Sequence, residues 1–140
     1  MTLVAHGIDA VDIKRFSKLI EKGERDFLKR CFSEKEIDEA SDHKSHQRLA
    51  GWFAVKESVL KAIGTGQSNG ATFTDIEVSH CEFGAPQVVL SGNTKKLAEN
   101  LGISTWLVSI SHIDKIAIAS VIGTTGSGSN ESIKVISQFP

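Results

Sequence analysis

One stretch limits what this chain can become. Residues 46–63, "HQRLAGWFAVKESVLKAI", hold no proline and no turn cluster, and Gly64-Thr65-Gly66 closes them. Leu49, Trp52, Phe53, Leu60 and Ile63 lie near one face at helical spacing, so the run predicts one long helix with an apolar stripe. The second half of the chain changes period. "FTDIEVSH" and "PQVVL" alternate or are β-branched, with "CEFGAP" as the turn between them. "STWLVSISH" and "KIAIASVI" read as a closing hairpin around Ile113-Asp114.

The remaining segments fill in the order. Residues 3–8, "LVAHGI", suit a short strand, and Asp9 follows it. "AVDIKRFSKLIEKG" reads as a helix that Gly23 ends, and "RDFLKRCF" as a second, short one. Ser33 and Glu36 form the S-x-x-E capping pattern that opens a third helix through about Ala40. Ser91 and Gly102 bracket a last helix. The order of strand, helices, two strands, helix, two strands predicts an α+β domain: an antiparallel sheet with one long and several shorter helices. Residues 1–123 form the expected domain. Residues 124–140, Gly/Ser-rich at their start, are an expected mobile extension.

Charge and cysteine content narrow the function. The net charge is −1, so no global field draws the chain to nucleic acid, and any charged partner must be read by a local patch. Cys31 and Cys81 are the only cysteines and belong to no zinc-like cluster, which suits two free thiols in the cytoplasm. Neither a membrane span nor a signal-peptide pattern stands out.

The charged residues of the long helix raise a problem. A helical wheel puts Lys56 inside the apolar stripe and Glu57 at its edge, where charges need a partner, a metal or a cleft. Glu57 and Lys61 stand four apart, and on spacing alone a surface ion pair is the plainer reading. Gly64–Gly66 is a helix C-cap or a turn with exposed N–H groups. Asp9 is a helix N-cap or a site carboxylate. If the first strand lies beside the long helix, Asp9 and Glu57 converge on a site suited to Mg²⁺ completed by phosphate oxygens. His112 ends a strand, either as a plain turn residue or as a phosphate donor. Residues 12–30 carry seven basic residues against four acidic. Lys14, Lys18 and Lys22 form one stripe, with Arg15 and Arg25 in the same region. It is a solvated face or a dock for an acidic partner.

Three blocks, in order, resemble one family. They are "GIDAVDIKRF", "FLKRCFSEKEI" and "LAGWFAVKESVLKAIGTG", and weaker echoes extend the match over roughly residues 3–122. The family is the holo-acyl-carrier-protein synthases, the small phosphopantetheinyl transferases. The resemblance implies their fold and their reaction. A carrier-protein serine attacks the β-phosphorus of coenzyme A, phosphopantetheine is transferred, and 3′,5′-ADP leaves. It implies Asp9 and Glu57 as Mg²⁺ carboxylates and Lys61 at the coenzyme A pyrophosphate. Lys56 stands beside it in the motif. Gly64, Thr65 and Gly66 match the loop near the nucleotide, and His112 a histidine near its 3′-phosphate. Lys14, Arg15, Lys18, Lys22 and Arg25 match the helix that docks the acyl carrier protein of fatty-acid or polyketide synthesis. Members form trimers with sites between neighbouring subunits. Where the family often has a basic residue, this chain has Trp52; Arg48, one turn earlier, is the candidate replacement. Glu36 is one candidate for relaying the serine proton. The rival readings are a non-catalytic coenzyme A or carrier-protein binding module, and a structural protein whose charges are surface pairs.

Overall fold

The computed structural model describes residues 2–64 and 70–126. Along the chain run β1 (Thr2–Asp12), α1 (Ile13–Cys31), α2 (Glu34–Glu39), α3 (Ser45–Ile63) and a single 3₁₀ turn (Phe73–Asp75). There follow β2 (Ile76–His80), β3 (Pro86–Leu90), α4 (Gly92–Asn100), β4 (Thr105–His112) and β5 (Ile116–Thr125). Strands β1, β5 and β4 form one antiparallel sheet in that order, and β2 and β3 form a second. The α+β expectation is met. No helix among the described residues is long and apolar enough to cross a membrane.

Helix α3 lies on the inner face of the three-stranded sheet. Ala117, Ala119 and Val121 turn inward from β5, while Ile116 and Ile118 turn outward. Small inward side chains let the helix come close. The closest approach is at Gly7 of β1, where a Cβ would lie 1.8 Å from the Ser58 carbonyl oxygen. Only hydrogen fits there. The Ser58 hydroxyl lies 2.7 Å from the Ala54 carbonyl oxygen and 3.2 Å from that of Ala119, which fixes the height of α3 over β5.

Helix α1 is continuous through Gly23, so the expected break there is corrected. A mid-helix glycine costs about 1 kcal/mol, and packing outweighs it. Phe16, Ile20 and Cys31 are buried on one face of the helix. Phe16 meets Phe27, Phe32 and Phe53 at ring-centroid distances of 5.8, 6.4 and 5.3 Å. The first strand also runs further than expected. Asp12 rather than Asp9 caps α1, accepting from the Arg15 N–H at 2.9 Å. Asp9 therefore sits inside β1, opposite Ala119. The Ser33–Glu36 capping box forms as expected. Gly64 closes α3 at φ +85°. Thr65 and Gly66 lie outside the described residues, as do the side chain of Arg25 and residues 127–140 of the expected extension. Thr124 and Thr125 belong to β5.

Both cysteines are free thiols. Burial pushes the Cys31 thiol up to about 11, against the opposing pull of Lys56 and Arg30. At pH 8 only about one Cys31 in a thousand would be the reactive thiolate. In the folded protein iodoacetamide is expected to label the half-buried Cys81 and spare Cys31 until the chain unfolds, read by peptide mass. Equal labelling of both in the native state would contradict the packing of α1.

Candidate active site

Two cavities hold the candidate residues. The first, about 420 Å³, opens between β1, α1 and α3 and is lined by Asp9, Arg15, Phe16, Phe53 and Glu57 among others. β1 supplies Asp9, and α3 supplies Glu57 and, one turn on, Lys61. The Lys61 ammonium donates to Asp9 Oδ1 at 2.9 Å and to the Ile8 carbonyl at 3.0 Å. The Asp9 side chain is 16% exposed and that of Lys61 54%. The Glu57 carboxyl is held above the usual carboxylate range, first by burial, then by the negative charge of Asp9, with Lys61 opposing. Two carboxylates thus share a partly dry cleft, and one of them is already engaged by the Lys61 ammonium. Such a site favours an added cation. A hard divalent ion needs only one or two carboxylates when waters and phosphate oxygens complete its shell. No cluster of three or more metal-ligating side chains occurs among the described residues.

The second cavity, about 300 Å³, lies toward the N-terminal half of α3, between it, β2 and β4. Lys44, Arg48, Trp52, His80 and His112 line it, with Gln47. His112 Nδ1 lies 3.1 Å from Gln47 Nε2. Arg48 pairs with Asp42 at 2.8 Å and donates to the Glu39 carbonyl at 3.1 Å. Four basic side chains gather in this cavity, and the chemistry of the lining suits an anion.

Residues 5–119 match the family model of the 4′-phosphopantetheinyl transferase superfamily. The chain belongs to that superfamily. The holo-[acyl-carrier-protein] synthase of Vibrio campbellii is 41% identical over 123 residues, which span 87% of this chain and 98% of that one. The crystal structure of the Neisseria meningitidis synthase superimposes with a TM-score of 0.81 at 30% identity, covering 89% of this chain and all of the other. The Helicobacter pylori synthase, solved in complex with coenzyme A, gives a TM-score of 0.75 at 34% identity over 85% of this chain and 99% of that one.

Within this phosphopantetheinyl transferase, one chain brings Asp9, Glu57, Lys61 and Arg15 together. His112 and Arg48 line the other cavity. Lys14, Arg15, Lys18 and Lys22 are all exposed on α1, and Arg15 joins their stripe to the acidic cleft. Trp52 is 3% exposed and packs against the His80 ring at 5.9 Å, so it is a wall of the transferase cavity.

Two expectations need correction. Lys56, placed beside the cofactor by its position in the motif, does not reach either cavity. It is fully buried, its ammonium 2.8 Å from Glu36 Oε1 and 3.1 Å from the Phe73 carbonyl oxygen, and 5.1 Å from the Phe32 ring centroid. Burial lowers its pKa, and Glu36 resists that. Glu36 is equally sealed. It is 1% exposed and accepts from Lys56 and the Ser33 N–H through Oε1 and from the Val78 N–H through Oε2, so a carrier-protein serine has no route to it. The signal for this pair was present in the sequence: a lysine inside an apolar stripe requires a buried partner. Gln47, Lys44 and His80 carry no signal in the sequence, because a polar residue in a loop, at a helix start or at a strand end leaves no periodic mark.

Proposed function

We propose that this transferase is a holo-[acyl-carrier-protein] synthase that moves 4′-phosphopantetheine from coenzyme A to a serine of an apo acyl carrier protein. The observation that carries the reading is the cleft lined by Asp9 and Glu57, with Lys61 bonded to Asp9, beside the basic stripe of α1. A binding module has no need of paired, partly buried carboxylates, because their mutual repulsion weakens any site for an anionic ligand.

Asp9 and Glu57 would hold Mg²⁺, which when bound supplies neutralisation of the pyrophosphate charge. Lys61 meets the same oxygens from the α3 side. His112 and Arg48 offer donors to the 3′-phosphate end of the nucleotide, and by family resemblance Gly64, Thr65 and Gly66 correspond to the loop near it. The serine oxygen bonds to the β-phosphorus as its proton passes to solvent water, and the bond from that phosphorus to the bridging oxygen breaks. 3′,5′-ADP leaves with the bridging oxygen. Catalysis of this kind is positioning and charge neutralisation. Lys14, Arg15, Lys18, Lys22 and Arg25 dock the acidic carrier protein so that its serine enters the cleft at Arg15. The reading includes a homotrimer, as the family resemblance implies. The cytoplasm suits two free cysteines and a coenzyme A substrate.

The test is the intact mass of an apo acyl carrier protein incubated with this protein, coenzyme A and Mg²⁺. A gain of one phosphopantetheine unit is expected, and none in the presence of a chelator. Coenzyme A binding without any mass gain, across carrier proteins of fatty-acid and polyketide synthesis, would favour the binding module instead.

A further inference from the structure

We propose that the buried Glu36–Lys56 ion pair is a positioning device for the reaction: it sets the rotation of α3 that aims Glu57 at Asp9. The inference rests on the reading of Asp9 and Glu57 as the metal-holding carboxylates. Neither Glu36 nor Lys56 touches the cleft, so neither is a catalytic residue.

The geometry is that of a helix pinned at two bearings. Successive residues turn about 100° around a helix, which sets Lys56 and Lys61 about 140° apart and Glu57 about 40° from Lys61. On one bearing Lys61 ties α3 to Asp9 and the Ile8 carbonyl of β1. On the other Lys56 ties it to Glu36 and to the carbonyl of Phe73 in the 3₁₀ turn. Glu36 is itself immobile. Its carboxylate is held by the N–H of Ser33 at 2.8 Å, from the cap of α2, and by the N–H of Val78 at 3.0 Å, from β2. No buried side-chain polar atom among the described residues lacks a partner. The anchor therefore has one satisfied arrangement, and a rotated helix would break it.

Energetics separate this role from simple stabilisation. A buried ion pair is seldom more stable than apolar side chains of similar size, because desolvation offsets the attraction. The Lys56→Met side chain could fill the same space beside Phe32 and Phe73. It would not specify a rotation, since apolar contacts are non-directional. What the pair adds over Met is direction, and the next residue along the helix is Glu57.

The test compares the pair variant Lys56→Met, which removes the ion pair but leaves both Glu36 oxygens to the Ser33 and Val78 N–H groups, with the parent. We expect a cooperative melt, a kcat lower by about tenfold or more, and a KM for coenzyme A within about threefold. Mn²⁺, used alone as a paramagnetic probe and titrated by electron spin resonance, should bind about tenfold more weakly. Adding Glu57→Gln to the pair variant should cost little beyond Glu57→Gln alone, because the pair acts through that carboxylate. Lys56→Arg, which keeps a buried cation facing Glu36, should recover Mn²⁺ affinity to within about threefold of the parent. Unchanged kcat and Mn²⁺ affinity in a folded pair variant would overturn the proposal. So would losses that multiply with Glu57→Gln, a pair variant unable to fold, or a folded Lys56→Arg as impaired as the Met variant. Glu57→Gln in the parent tests the underlying reading separately. If that substitution leaves Mn²⁺ affinity intact, the metal assignment fails; if it weakens Mn²⁺ and the pair variant does not, only the positioning role fails.

Discussion

Glu57→Gln is expected to lower turnover by about 10³-fold while leaving the fold as stable as before or more so. The two effects have one cause. Burial and the charge of Asp9 both disfavour the ionised carboxyl of Glu57, so the folded chain holds that proton more tightly than the unfolded chain does. The contribution of such a group is fully present below its unfolded-state pKa and is lost as pH rises through its raised folded-state pKa. At neutral pH the charge is therefore a burden on the apo fold, and the amide removes it. Melting at pH 7.5 without metal should show Tm equal to or above the parent. Coenzyme A with Mg²⁺ should raise the parent's Tm and leave that of the variant nearly unmoved. A variant that melts well below the parent would mean that Glu57 is a structural residue. Full activity would end its assignment to the metal.

Gly7→Ala is expected to be the most damaging change outside the cleft. The new methyl would stand 1.8 Å from a main-chain oxygen of α3, and backbone has no rotamer by which to yield. The strand or the helix must move. Overpacking against a rigid neighbour costs about 3 kcal/mol or more, a fall of roughly 10 °C in Tm for a domain this size. The same displacement would separate Asp9, two residues along β1, from Lys61. Activity measured well below the melting temperature should therefore drop too. A variant with the parent's Tm would show that β1 and α3 are less tightly packed than described.

Much of this architecture was readable from periodicity. The stripe of α3, the β2–β3 turn, the capping box at Ser33 and the closing hairpin are all local patterns, and each formed where its residues indicated. The errors fell where distant contacts decide. Gly23 looked like a helix end because its own sequence neighbourhood contains nothing that outweighs a glycine; the aromatic side chains that hold the helix together come partly from α3. Asp9 looked like a cap because β1 was read too short, and only pairing with β5 extends it. The acidic cleft was legible in part. Glu57 and Lys61 are one turn apart, and Asp9 joins them if β1 lies alongside. Lys56 was misplaced because its partner, Glu36, comes from another helix and was itself given a different role. A wheel shows that a charge is buried but not what it meets.

The pairing of β1 with β5 has a consequence for how the protein is made. His6 and Ser120, neighbours across that pairing, are separated by 114 positions in the chain. Contacts this distant form late, because a long loop must close before they return any energy. On the ribosome, β1 has no strand to pair with until β5 has emerged, and Asp9 is not fixed within the sheet until it does. The basic helix that would greet a carrier protein can form early, whereas the carboxylate pair is assembled only when almost the whole domain has been synthesised. A nascent chain would thus acquire its docking surface before its chemistry.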